Sequence, residues 1–239
     1  MEEVFPEVAF TVLGVPVRDT VISTWVMMAL IVGVVLVIRR LKPTALEMVV
    51  DFLTDFISEI MRRPADPFLP LVGSLALYIG VANVIGLVPF LKSPTSDINT
   101  PIALALVVFV AVHVYGVRIM GFGPYLKSLA SPIFLLPLEL ISQISRTISL
   151  SVRLFGNVFS AEIIIAILFA LAPLIVPLPL QGFSIFTGLL QAYIFAALAA
   201  VYIAAGLPSR PEEIEQEQDV EPDGSVENIN QAIDMKRKE

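Results

Sequence analysis

Residues 132–171 constrain the fold more than any other part of the sequence: 40 mostly apolar residues that nonetheless contain Glu139, Arg146, Arg153 and Glu162. Wound as one helix at about 1.5 Å per residue, they would extend about 60 Å, twice the thickness of a bilayer's hydrocarbon core. Such a helix has to tilt steeply, bend or split. The surrounding composition makes the bilayer its solvent, because 56% of the 239 residues are hydrophobic and only 15% are charged, against about 25% charged in an ordinary soluble domain.

The remaining apolar runs set the topology. Residues 21–38 are just long enough to cross the membrane, and Arg39, Arg40 and Lys42 follow at once. By the positive-inside bias they put this end in the cytoplasm and the N-terminus outside. Across residues 43–63, Glu47, Asp51, Asp55 and Glu59 recur every four residues, with Val49, Phe52, Leu53, Phe56 and Ile60 on the other face. That pattern predicts an amphipathic helix, lying on the cytoplasmic interface or docking a partner through its acidic face. A second span covers residues 69–91, an outside loop carries Pro94, Ser96, Asp97 and Asn99, and a third span covers 101–120. Pro173 and Pro177 break the long segment, Gln181-Gly182 ends a short loop, and residues 183–207 form the last span. Five crossings result, with the N-terminus outside and the C-terminus in the cytoplasm. A rival parse uses Gly156-Asn157 as a tight turn and splits the long segment in two.

The expected fold class is therefore an all-α polytopic membrane protein of about five transmembrane helices, one of them long and steeply tilted, plus one interfacial helix. Residues 1–20 form an external segment without the basic region of a signal peptide, since Glu2, Glu3 and Glu7 precede the first apolar run. Residues 208–239 read as a solvated, disordered cytoplasmic tail, the stretch from Leu207 holding ten acidic and four basic residues. No cysteine is present, so disulfides and thiolate metal sites are excluded. No G-x-x-x-x-G-K-[ST] loop occurs and the soluble segments are too short for a catalytic domain. The chain reads as non-catalytic, with no cofactor, no metal site and no nucleic-acid partner.

Charges inside a span cost about 2.5 to 3.5 kcal/mol each even on the lenient insertion scale, so they face protein or water and mark pathways. At 100° per residue Glu139, Ser142, Arg146, Ser149, Arg153 and Asn157 share one side of the helix, with Ser145 at its edge. Glu162, nine residues past Arg153, is half a turn round and about 13.5 Å farther along. Two polar surfaces, offset along one helix, suit two separate wet paths that approach Arg153 from opposite sides. A guanidinium keeps its charge when buried and forces a carboxylate brought beside it to release its proton or ion. That mobile carboxylate has to come from a partner chain. The competing structural reading makes Arg153 half of an ion pair between helices, and for Glu139 and Arg146 an interfacial ion pair is as good a reading as a pathway. Gln191, with Ser184 seven residues earlier on the same face, reads equally as an interhelical hydrogen bond or a channel group. His113 reads as a packing histidine more readily than as a proton relay.

The segment SLSVRLFGNVFSAE at Ser149 to Glu162 resembles the signature of subunit a of F-type ATP synthases. LQAYIF at Leu190 to Phe195 is similar to that family's second signature, and PTSDINTP at Pro94 to Pro101 to its loop after the second span. The resemblance implies that Arg153 faces the carboxylates of a rotating c-ring, with Asn157 and Gln191 beside it. It assigns Glu162 and Ser184 to an outer half-channel, and Glu139, Ser142, Ser145, Arg146 and Ser149 to a cytoplasmic one. Several family members carry an ionisable residue where Ser184 stands, so the outer relay differs here. The family's long helix lies nearly horizontal, as half of a hairpin with the last helix. Peripheral-stalk b subunits and membrane lipids are the other implied partners, and the bacterial plasma membrane the implied location.

The expected function is that of an ion-conducting stator subunit coupling proton translocation to ATP synthesis, with Na⁺ as the alternative coupling ion. A stand-alone transporter binding an anion at Arg153 is the alternative of a different class; it predicts inverted repeats, and no internal repeat is visible in the sequence. A membrane scaffold whose charges serve only as structural ion pairs is a third. Parity is directly testable: a reporter active only outside the cytoplasm, fused after Glu239, is expected to be silent, and activity would reject the five-span topology.

Overall fold

The computed structural model of the chain describes residues 8–12, 15–86, 93–129, 136–171 and 177–208. The acidic tail beyond residue 208, the end of the second span at residues 87–91, and Pro173 lie outside the described residues. A two-stranded antiparallel hairpin, β1 (Val8–Val12) and β2 (Val15–Arg18), precedes the helices, pairing Val12 with Val15 and Val8 with Arg18 around a bulge between Val8 and Phe10. It adds strands to the expected all-helical architecture, in the segment read above as external.

Among the described residues seven α-helices follow, α1 (Asp19–Leu41), α2 (Pro43–Met61), α3 (Leu69–Ile85), α4 (Asn99–Met120), α5 (Phe122–Leu129), α6 (Leu136–Leu171) and α7 (Pro177–Ala205), with a 3-10 turn at Pro94–Ser96 before α4. Four of them, α1, α4, α6 and α7, are long and apolar enough to cross a membrane, and α3 is a shorter apolar helix of 17 residues. Their apolar surface faces outward to an extent that water would not tolerate. Trp25, Met28, Val32 and Leu36 of α1 are each more than half exposed, as in a helix solvated by lipid on most sides.

The long segment is one helix. α6 runs unbroken through Gly156 and Asn157 for 36 residues, about 54 Å, so the tight turn of the rival parse does not form. α7 begins at Pro177 and continues through Gln181 and Gly182, where the sequence pattern predicts a loop. The physical reason is positional: Pro177 and Pro179 sit in the first turn, where a missing N–H leaves no intrahelical bond unmade. The eight-residue α5 was not anticipated at all.

Helices α3, α4, α6 and α7 share the core. Leu75 and Ile79, Ala105 and Val108, Leu150 and Leu154, and Ala192, Phe195 and Ala199 form one buried cluster. The small residues of α7 allow close approach without a side-chain gap to fill. α3 crosses α7 antiparallel, Gly80 facing Ala192 and Asn83 facing Gly188. α4 and α7 run one way and α6 the other, since Arg146 meets Tyr202 near one end of α6 while Glu162 shares a cavity with Ser184 near the other.

α2 packs on this bundle through Phe56, Ile57 and Met61, with the Phe56 ring 4.8 Å from that of Tyr193. Glu47, Asp51, Asp55 and Glu59 all point outward. The loop before α3 is held by the Tyr115 hydroxyl, which donates to the Pro67 carbonyl at 3.0 Å. At the opposite end, the buried carboxylate of Asp97 accepts from the Thr20 hydroxyl at 3.2 Å and from the Asn99 amide N–H and carboxamide at 3.1 and 2.8 Å, joining the start of α1 to the start of α4.

At Gly188 the helix α7 approaches α3 closely. A Cβ there would stand 2.7 Å from the Asn83 Cβ, whereas one at Gly33 would meet nothing within 4 Å. Gly188→Ala is expected to destabilise the fold by about 1–3 kcal/mol through overpacking, and Gly33→Ala to leave it unchanged or slightly firmer. Thermal denaturation of the detergent-solubilised protein checks the contrast; equal midpoints would contradict it.

Candidate functional site

Two polar cavities open against α6, one toward each end, and their linings have no residue in common. The first, about 40 Å³, lies among α4, the N-terminal half of α6 and the C-terminal end of α7. Its polar lining comprises Glu139, Gln143, Arg146, Thr147 and Tyr202. The second, about 50 Å³, lies among α3, the C-terminal half of α6 and the N-terminal half of α7, with Asn83, Ser93, Asn157, Glu162, Ser184 and Thr187 as polar groups. Each exceeds the ~10–15 Å³ that one water needs, and each has polar partners for it.

Between them the helices close. Leu154 and Phe195 are fully buried and Leu150 nearly so, and all three belong to the common core. Leu150 borders the first cavity and Val158 the second, two turns apart on one ridge of α6. No polar route through this packing joins the cavities among the described residues.

Arg153, next to Leu154 in the sequence, lies at the level of the seal but is turned outward. It is exposed, and among the described residues its guanidinium makes no hydrogen bond or ion pair. Ser149 and Gly156 flank it, and a Cβ at Gly156 would meet nothing within 4 Å. Ile141, Ile144, Ile148 and Val152 are exposed apolar residues on a different side of α6, and the last three border a groove against α4.

The expected site residues therefore divide. Glu139 and Arg146 line the first cavity; Asn157, Glu162 and Ser184 line the second. Ser142, Ser145 and Ser149 lie outside both linings, Ser145 and Ser149 on the exposed face beside Arg153. Gln191 is 6% exposed and borders neither cavity, and its Nε2 has no partner among the described residues. His113 stacks against Phe109 at 4.7 Å, bonds the Phe109 carbonyl through Nδ1 at 2.8 Å and meets Tyr125 edge-on. That is a packing role, and the cavity lining does not include it.

Within the first cavity Gln143 Nε2 donates to Glu139 Oε1 at 3.1 Å, and the Arg146 guanidinium lies 5.6 Å from the Tyr202 ring centroid, within cation–π range. Tyr125 of α5 is close by: burial pushes its phenol above the ordinary value, and the Glu139 carboxylate adds to the rise. In the second, Asn83 Nδ2 donates to the Gly188 carbonyl at 2.8 Å and Asn83 Oδ1 accepts from Thr95 at 3.1 Å. The Ser93 and Thr95 hydroxyl oxygens are 2.8 Å apart, and Ser93 reaches the Ala82 carbonyl at 2.9 Å. This chain fixes the amide at the cavity wall. The Ser184 hydroxyl returns to the Leu180 carbonyl at 2.9 Å.

Sequence reasoning missed Asn83, Ser93 and Thr187 on one side and Gln143, Thr147 and Tyr202 on the other. A signal existed for three of them. Asn83 is a carboxamide inside an apolar span, and Gln143 and Thr147 follow Glu139 at helical spacing, between the polar stripe and the buried ridge of α6.

A family profile described as ATP synthase A chain matches residues 21–204. The chain is 46% identical over 208 residues to ATP synthase subunit a 2 of Bradyrhizobium sp., covering 84% of this chain and 93% of that protein. It is 43% identical over 201 residues to ATP synthase subunit a 2 of Pelobacter propionicus, covering 81% and 88%. Against ATP synthase subunit a 1 of Crocosphaera subtropica the identity is 40% over 198 residues, covering 79% and 86%.

The Asn83 network supplies a test of the second cavity's wall. Thr95→Val keeps the shape and removes the donor to a buried carboxamide oxygen, which costs about 1–3 kcal/mol. A lowered denaturation midpoint is expected, whereas an unchanged one would mean that water takes the place of the hydroxyl.

Proposed function

The chain belongs to the ATP synthase A chain family, a subunit of the enzyme's membrane sector, and on that premise we propose that it is the ion-conducting stator subunit, coupling proton translocation to ATP synthesis. The first cavity is the cytoplasmic half-channel and the second the outer one. Neither leads to the other through the protein. An ion therefore has to leave one cavity sideways, ride on a partner, and return through the other.

The single observation that carries this reading is the offset pair of cavities sealed by Leu150, Leu154 and Phe195, with Arg153 outside the seal on an exposed face. The rider is a carboxylate of the c-ring. While protonated it is neutral and crosses apolar surroundings cheaply; beside Arg153 its ionised form is favoured and the proton leaves. Ser145, Ser149 and Gly156 keep the helix surface low around Arg153, which lets a neighbouring helix approach. Chemistry on ATP belongs to other subunits, and this chain is non-catalytic.

Among the described residues Glu162 is the titratable group lining the outer half-channel, with Ser184, Thr187 and Asn83 as neutral polar residues of the same lining. Glu139 has the corresponding place on the cytoplasmic side. The alternating directions of α1, α3, α4, α6 and α7 support an N-terminus outside and a C-terminus in the cytoplasm of a bacterial plasma membrane. The exposed apolar sides of α1 and the acidic row of α2 remain for lipids and the peripheral-stalk b subunits.

Arg153→Ala in the assembled complex is expected to reduce ATP-driven ion pumping and ion-driven ATP synthesis to background while the subunit still inserts. Glu162→Gln is expected to slow both without changing assembly. Measurements in inverted membrane vesicles decide the matter, and coupled synthesis retained by Arg153→Ala would overturn the proposal.

A further inference from the structure

Gln143 occupies an unusual place in the first cavity. It is four residues after Glu139 and three before Arg146, so it stands on the helix surface between a carboxylate and a guanidinium. Its Nε2 donates to Glu139 Oε1 at 3.1 Å, which fixes the plane of the carboxamide. The other end, Oε1, is then directed away from Glu139; among the described residues it is buried and has no hydrogen-bond partner. The reverse amide orientation would set an oxygen against the carboxylate and is disfavoured while that group is ionised.

A buried acceptor without a partner is costly unless water reaches it. Gln143 lines a cavity of about 40 Å³, room for more than one water by the ~10–15 Å³ criterion. The Arg146 guanidinium lines the same space, turned toward the Tyr202 ring. No ion pair between Glu139 and Arg146 forms among the described residues. The remaining groups about Glu139 are Tyr125 of α5, through its electrostatic interaction, and the apolar Phe109 and Val112 of α4.

We propose that Gln143 is the positioning residue of this passage: it holds the Glu139 carboxylate through Nε2, takes a water in the cavity through Oε1, and by standing between Glu139 and Arg146 keeps them from closing into an ion pair. The inference rests on the reading of the first cavity as a half-channel. A Glu–Arg pair in direct contact would fill the opening and withdraw the carboxylate from exchange with water. The carboxamide spaces the two charges and supplies the water with an acceptor of fixed direction.

The test is a double-mutant cycle in the assembled complex, reading passive ion conductance and ATP-driven pumping of membrane vesicles, normalised to subunit content. Gln143→Met keeps length and bulk while removing both hydrogen bonds. It is expected to lower the rate about three- to tenfold, the factor that one hydrogen bond of ordinary strength is worth. In a Glu139→Gln background the same substitution is expected to have little further effect, because a residue acting through Glu139 has nothing left to position. Losses that multiply across the two sites would overturn the inference in favour of simple packing. A slow Glu139→Gln beside an unimpaired Gln143→Met would overturn it and leave the half-channel reading standing. Full rates in both single variants would overturn the half-channel reading as well. Should Gln143→Met fail to assemble, Gln143→Leu is read by the same criteria.

Discussion

Leu150, Leu154 and Phe195 fill the space where α6 crosses its neighbours, and this apolar packing keeps the two polar cavities apart. The separation is more consequential than the presence of polar groups. A continuous row of charged and hydroxyl residues through a membrane domain would be a leak, whereas here two cavities with no lining residue in common are divided by buried apolar side chains. The small residues of α7 make the seal tight, since Ala192, Ala196, Ala199 and Ala200 are all buried and let the helices close around a few large side chains.

The same low-dielectric surroundings explain how the remaining polar groups are arranged. Asn83, Ser93 and Thr95 bond one another and two backbone carbonyls, and Asp97 is held by Thr20 and Asn99. Each of these networks also joins elements distant in the sequence, so the desolvation cost of a buried polar group is offset where it ties helices together. Gln143 and Gln191 are the exceptions, each with a buried amide atom left without a protein partner among the described residues. Both are near the machinery that the proposed function invokes, where imperfect satisfaction leaves a place for water or a partner chain.

Much of the site was legible because helical periodicity is local. Glu139, Arg146, Arg153 and Glu162 stand out as charges in an apolar segment, and their angular positions follow from 100° per residue alone. The structure separates residues that this projection grouped together. Ser149 and Arg153 share the stripe with Glu139 and Arg146, yet the first pair is exposed and the second borders a cavity. A helical wheel gives the direction of a side chain but says nothing of what stands opposite. Thr187 and Tyr202 were invisible for a related reason, since both reach their cavities from α7 and only its crossing with α6 brings them there; Asn83 stands out as a carboxamide in an apolar span, but its place at the cavity depends on the crossing of α3.

By itself the sequence determined that the chain belongs in a bilayer, that its long charged segment could not be an upright span, and that Arg153 is the cation to explain. Composition, run length and periodicity are enough for that, because the insertion energy of a helix depends chiefly on its own residues. The continuity of α6 through Gly156-Asn157 and the start of α7 at Pro177 required the fold, since a Gly-Asn pair and a proline are each compatible with turn or helix until neighbours decide. Tertiary structure alone decided that the polar residues line two separate cavities rather than one. That outcome depends on which side chains meet at helix crossings, and no single segment contains the information.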